Sequence, residues 1–122
     1  PTIVVMDAEL REFHRRTRLA AVPFSSQANG VFQKLAAGGA AALSAGQQRT
    51  YLNPVTLWRY DRLQTLRAQT GLSITQLVLG YLLSQPFPVI PVFSSRSLAQ
   101  LEDTLTAAGV RLTDEQVKFL EG

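Results

Sequence analysis

The chain reads as an α/β fold. Two short apolar runs, Leu19–Phe24 and Val89–Phe93, have strand character, and the long stretch between them carries helical periodicity. An amphipathic pattern follows the second run at once. Strand, helical crossover, strand, helix is the order of a βαβ unit, so the two strands are expected to pair in parallel. The length of 122 residues is that of a single domain, 1–122, and the 46% hydrophobic content is enough to bury a core.

Each element has a local reason. Asp7 predicts an N-cap for a helix through Glu9, Leu10, Phe13 and Thr17, with Leu10, Phe13 and Thr17 on one face. Pro23, inside the first run, marks a strand end or a bulge. Ser25–Gly30 is a polar turn, because Asn29-Gly30 is a chain-reversal pair. Val31–Leu35 reads as a short helical turn. Residues 36–52 are rich in Ala and Gly and read as a flexible loop, with one helical turn at Ala40–Leu43. Asn53-Pro54 opens a long helix, and Gly71 stops it. Ser73–Gln76 has capping-box form. The helix it starts carries Leu77, Val78, Tyr81 and Leu82; apolar around much of its circumference, it is expected between two layers. Pro86 and Pro88 end it. Beyond the second strand, Ser97–Gln100 is again a capping box, and Leu98, Leu101, Leu105 and Ala108 form an apolar stripe. Thr113–Gln116 begins a last short helix bearing Val117 and Leu120.

Composition excludes several functions. Net charge is only +3, and the one modest basic cluster, Arg11, Arg15, Arg16 and Arg18, reads as the solvated face of a helix. No aromatic interleaving or nucleic-acid motif accompanies it, so a nucleic-acid partner is not expected. The absence of cysteine rules out disulfides, thiolate metal sites and a Cys nucleophile. His14 is the only histidine, and no carboxylates converge with it at metal-ligand spacing. With no leader pattern and no apolar run long enough to span a bilayer, the expected location is the cytoplasm, with no membrane partner. There is no Gly-x-Ser-x-Gly elbow for a serine nucleophile.

The turn Ser94-Ser95-Arg96-Ser97 lies between a strand and a helix start. Helix starts expose unpaired N–H groups and a positive dipole end, which attract anions. Arg96 adds a planar donor fork suited to phosphate. A cation there opposes the dipole unless an anion sits nearby. Purely structural roles compete at the other positions: Phe24 as a core aromatic, Ser25 and Asn29 as turn formers, Ser97 as a cap with Gln100 its N3 partner, and His14 as a surface or half-buried helix residue.

With these elements placed, the chain resembles the C-terminal part of an aldo/keto reductase, a (β/α)8-barrel oxidoreductase that uses NADPH or NADH. Val22–Phe32 is similar to the family's seventh strand and following loop. Leu66–Gln85 is similar to the helix region between strands seven and eight. Val89–Leu101 and Val110–Leu120 are similar to the eighth strand, the cofactor-binding turn, the last barrel helix and the start of the tail. The resemblance implies a partial (β/α)8 TIM barrel, mostly helical, with two or three short parallel strands. It implies that Phe24 stacks on the nicotinamide, that Ser25, Gln27 and Asn29 hold the pyrophosphate, and that Ser94, Ser95 and Arg96 bind the adenosine ribose phosphate. Gln100 stands where a cofactor-facing residue is expected. Asp103 and Thr104 replace a Glu-Asn pair that usually meets adenine, a departure from the family pattern. Arg96 tips the expected cofactor toward NADP(H), with NAD(H) also compatible.

A whole barrel takes about 250 residues. The family's Asp, Tyr, Lys and His tetrad comes from its first five strands, a portion with no counterpart here. Tyr51, Tyr60, Tyr81, Lys34 and Lys118 fall in other segments. The expectation is therefore the cofactor-binding C-terminal portion of an oxidoreductase that reduces aldehydes or ketones, inactive alone. Two strands leave sheet edges open, so the chain is expected to associate with itself or with the missing N-terminal barrel half. Two other readings use the same residues: a non-enzymatic half-barrel association module, and a general anion-binding α/β domain.

Overall fold

The computed structural model describes residues 6–122; the first five residues of the expected domain lie outside it. Helix α1 (Ala8–Thr17) starts where Asp7 Oδ1 accepts from Leu10 N at 2.8 Å and stops at Arg18, in the left-handed region at φ 60°. Its buried residue is His14, not the expected Phe13 face, which is exposed. This corrects the surface or half-buried reading of His14. The imidazole Nδ1 lies 2.8 Å from the Leu19 carbonyl, and the ring stacks on Phe87 with Phe13 at its edge. These contacts fold α1 back onto the segment that follows it.

The two expected strands run side by side in parallel, but neither becomes a regular strand. The pairing consists of one bridge, Ala21 with Val89. Ala21 N donates to Pro88 O, Ile90 N to Ala21 O and Val92 N to Pro23 O, at 2.9, 2.9 and 3.1 Å. The ladder is short for a covalent reason. Pro23 and Pro88 have no N–H to contribute, and Pro23 stands where the next donor of the first segment would be. Ser26 carries the pairing one step further through its side chain, Oγ donating to Val92 O at 2.6 Å. The first run is also not buried as expected: Ala21 is enclosed, while Leu19, Val22 and Phe24 are exposed.

Between these segments the chain is helical. Helix α2 (Val31–Gly38) extends well past the single turn expected there. Residues 36–52 are not a loop: they hold the end of α2, a 3-10 turn at Gly39–Ala42 and helix α3 (Ala45–Tyr51). Ser44 and Gln47 form a reciprocal capping box that starts α3. Leu43 anchors the stretch by packing with Val31 and Leu35, with Tyr51, Leu52 and Tyr60 around them.

Helix α4 (Pro54–Thr70) has Asn53 as its cap and Gly71, at φ 72°, as its stop. Helix α5 (Ile74–Leu83) starts at the Ser73–Gln76 capping box. The main core joins these two to helix α7 (Asp114–Glu121): Leu63 and Leu66, Ile74 and Leu77, then Leu112, Val117 and Leu120. Helix α6 (Leu98–Thr106) lies against α5. Its expected apolar stripe faces outward, with Leu98 69% and Leu105 56% exposed, because Thr104 and the following Ala107 occupy the inner face. Among the described residues, no helix is long and apolar enough to cross a membrane.

Candidate functional site

The loop after the first extended segment and the turn after the second open onto one cleft of about 790 Å³. Parallel pairing is what brings them together, because it sets the ends of both segments on the same side of the molecule. Phe24, Ser25, Gln27 and Asn29 line one wall; Ser94, Ser95, Arg96 and Gln100 line the other, with Asp103 and Thr104 beside them. All eight residues expected to form the site therefore share one cavity. Phe24 is 70% exposed, so the core-aromatic alternative is overturned.

The first wall is shaped by its backbone. Ala28, Asn29 and Gly30 are all left-handed, with φ of 48°, 55° and 72°. Such a run is costly for Ala28 and cheap for Gly30, and it turns the chain sharply into α2. Gln27 then reaches across the floor, its Nε2 lying 3.4 Å from Thr104 Oγ1. Asn29 contributes its carbonyl to Gln47 Nε2 at 3.0 Å, and its side chain lies 3.4 Å from Tyr51 Oη.

The second wall carries the charge. Arg96 is exposed, and its guanidinium has no hydrogen-bond or ion-pair partner among the described residues. Ser97 caps α6, its Oγ accepting from Gln100 N at 3.3 Å. The expected capping box is only half made. Gln100 Oε1 accepts from Arg96 N at 2.9 Å instead of from Ser97 N, so the amide pins the turn one residue earlier. Ser95 Oγ is buried and has no partner among the described residues.

Sequence reasoning missed several lining residues. Lys34 is a second cation in the cleft, with Nζ donating to Gln47 Oε1 at 2.9 Å. Gln33, Ser44, Gln47 and Thr75 also line it. The expected Val31–Leu35 turn already set Gln33 and Lys34 beside the Ser25–Gly30 loop, and that adjacency was the signal for their place in the cleft. The Ser44–Gln47 capping box was legible in the same way.

This arrangement can bind and orient an anionic ligand. It is poorly equipped to move a proton: neither His nor Tyr lines the cleft. The three tyrosines are engaged elsewhere. Tyr51 meets Asn29, Tyr60 Oη accepts from Gln64 and Tyr81 Oη donates to Glu121. Asp103, a lining carboxylate, accepts from Ser73 Oγ at 3.1 Å.

A sequence model described as the Aldo/keto reductase family matches residues 3–122. The chain is 38% identical over 62 residues to Aldo-keto reductase ausK of Aspergillus calidoustus, covering 50% of this chain and 16% of that protein. It is 31% identical over 84 residues to Aldo-keto reductase ausK of Emericella nidulans, covering 68% of this chain and 20% of that protein. The matched part thus spans a fifth or less of the length of these curated relatives. No solved structure matches the chain. With the family matched over almost every residue and the cleft formed between the segments that carry the likeness, the chain belongs to the aldo/keto reductase family.

Proposed function

We propose that this chain is the dinucleotide-binding portion of an NAD(P)H-dependent oxidoreductase that reduces aldehydes or ketones in the cytoplasm. The observation that carries the reading is the shared cleft: an exposed aromatic on one wall and, on the other, a guanidinium unpaired among the described residues. The residues present fit a phosphorylated dinucleotide. Its volume is within the range of small-molecule sites, about 300–1,000 Å³. Ser95 Oγ is a buried hydroxyl without a partner, which a phosphate oxygen would satisfy.

In this reading Arg96, with Ser94 and Ser95, grips the phosphate on the adenosine ribose by charge-assisted hydrogen bonds. Ser25, Gln27 and Asn29 hold the pyrophosphate, and Lys34 adds charge on the same wall. Phe24 flanks the nicotinamide ring and shields one of its faces from water. A bound nicotinamide dinucleotide supplies hydride chemistry. Gln100 acts indirectly, by fixing the backbone of Arg96. The proton for the carbonyl comes from the family tetrad on the first five strands, a portion of the barrel that docks on the open side of the paired segments. NADP(H) is favoured over NAD(H) because Arg96 otherwise lacks an anionic partner.

Calorimetric titration tests this directly. Saturable NADPH binding, much tighter than that of inorganic phosphate, is the expected result. NADPH binding no better than phosphate would instead favour a general anion site. No saturable binding, even with the rest of the barrel supplied, would remove the reading.

A further inference from the structure

The floor of the cleft is a chain of neutral polar groups contributed by the loop, α2, α5 and α6. Gln33 Nε2 donates to Gln27 Oε1 at 2.9 Å and lies 3.4 Å from Thr75 Oγ1; Gln27 Nε2 lies 3.4 Å from Thr104 Oγ1. Thr75 and Thr104 are themselves buried. With its Nε2 committed in this way, Gln33 is left with its carbonyl oxygen, which is buried and has no partner among the described residues. An unpaired acceptor of this kind is costly, on the order of 1–3 kcal/mol, and native structures rarely keep one without a reason.

We infer that Gln33 is a ligand-recognition residue whose side-chain carbonyl accepts a hydrogen bond from an exocyclic NH₂ group of the bound dinucleotide. This rests on the dinucleotide reading of the cleft. Gln33 lines the cleft although its oxygen lies behind the wall. The terminal torsion of a glutamine is broad, so on ligand binding the amide can turn its oxygen toward the cavity, giving up the Nε2 contacts to Gln27 and Thr75. A neutral donor fits this neutral acceptor, and we take it to be an exocyclic NH₂ rather than a ribose hydroxyl. A nicotinamide dinucleotide has two such donors, the adenine amine and the nicotinamide carboxamide.

The test uses the full 122-residue chain, wild type and Gln33→Met, with calorimetry as the readout. Each is titrated with NADPH, with the hypoxanthine analogue that lacks the adenine amine, and with the acetylpyridine analogue that lacks the carboxamide NH₂. Gln33→Met keeps side-chain length, and its thermal unfolding confirms that it folds; Gln33→Glu, which keeps an acceptor, serves as a second variant. The expected result is that one analogue binds wild type roughly tenfold more weakly than NADPH does, while Gln33→Met binds that analogue and NADPH about equally. Which analogue shows the loss identifies the donor. If NADPH binds but each analogue loses the same factor in wild type and variants, Gln33 meets neither NH₂ group; the inference falls and the dinucleotide reading stands. If wild type does not bind NADPH even with the rest of the barrel supplied, both fall.

Discussion

Arg96 brings a permanent charge to a cleft in which the lining carboxylate Asp103 already accepts from Ser73. Removing the guanidinium should therefore cost the bound phosphate a charged hydrogen bond. Arg96→Ala is expected to weaken NADPH by about 1.5–3 kcal/mol, with a smaller effect on NADH. Equal affinities for NADPH in variant and wild type would reject the phosphate assignment. Phe24 makes the complementary case. Being largely exposed, it contributes little to folding, so Phe24→Ala should shift urea unfolding by within about 0.5 kcal/mol while reducing the fluorescence change of bound nicotinamide. A large loss of stability would mean that Phe24 is a packing residue after all. Tyr81 belongs to a different network: it donates to Glu121 Oε1, which also accepts from Arg11. Burial, reinforced by the Glu121 carboxylate, holds its phenol above the ordinary value of 10.0. A raised folded-state pKa means that the folded chain holds this proton more tightly. The associated stability is complete below about pH 10 and is lost as pH rises through the folded value. Unfolding free energy should thus fall more steeply between about pH 9 and about pH 11 in wild type than in Tyr81→Phe. Equal slopes would show that the network does not couple to folding.

Helix boundaries were legible wherever a cap stood in the chain. Asp7, Asn53, Ser73 and Thr113 each start a helix as expected, because their side chains meet backbone N–H groups that would otherwise be unpaired. The 36–52 segment was misread because Ala and Gly suggest little core. Its order comes instead from Leu43 and from the Ser44–Gln47 box. The strands are shorter than their apolar pattern suggests, because Pro23 and Pro88 remove donors from the pairing. The residues on the two cleft walls were named through the family likeness, which stopped at Asn29 on the first wall and so passed over Gln33 and Lys34, although both lie within the expected Val31–Leu35 turn. Element packing has its own test at Gly80. A Cβ there would stand 2.7 Å from Val110 Cγ1, in the core behind α5. Gly80→Ala should lower stability by about 1–3 kcal/mol in urea unfolding. An unchanged midpoint would mean that α5 and Val110 are not closely packed.

At the scale of the whole molecule, exposed apolar side chains are spread over several elements, among them Val22 and Ile90 on the paired segments and Leu98 and Leu105 on α6. Apolar surface left uncovered in this way favours association. Light scattering should therefore give a mass above the 13.4 kDa of one chain as concentration rises, and Leu98→Lys with Leu105→Lys should reduce it. A monodisperse single-chain mass at every concentration would show that these side chains need no cover. The central claim is that both walls hold the same ligand, and amide chemical shifts read each wall separately. On titration with NADPH, signals from 24–30 and from 94–100 should move together and saturate at one common affinity. Movement confined to 94–100, with 24–30 unchanged at saturation, would contradict it: the turn would then bind an anion alone, and no dinucleotide would bridge the cleft.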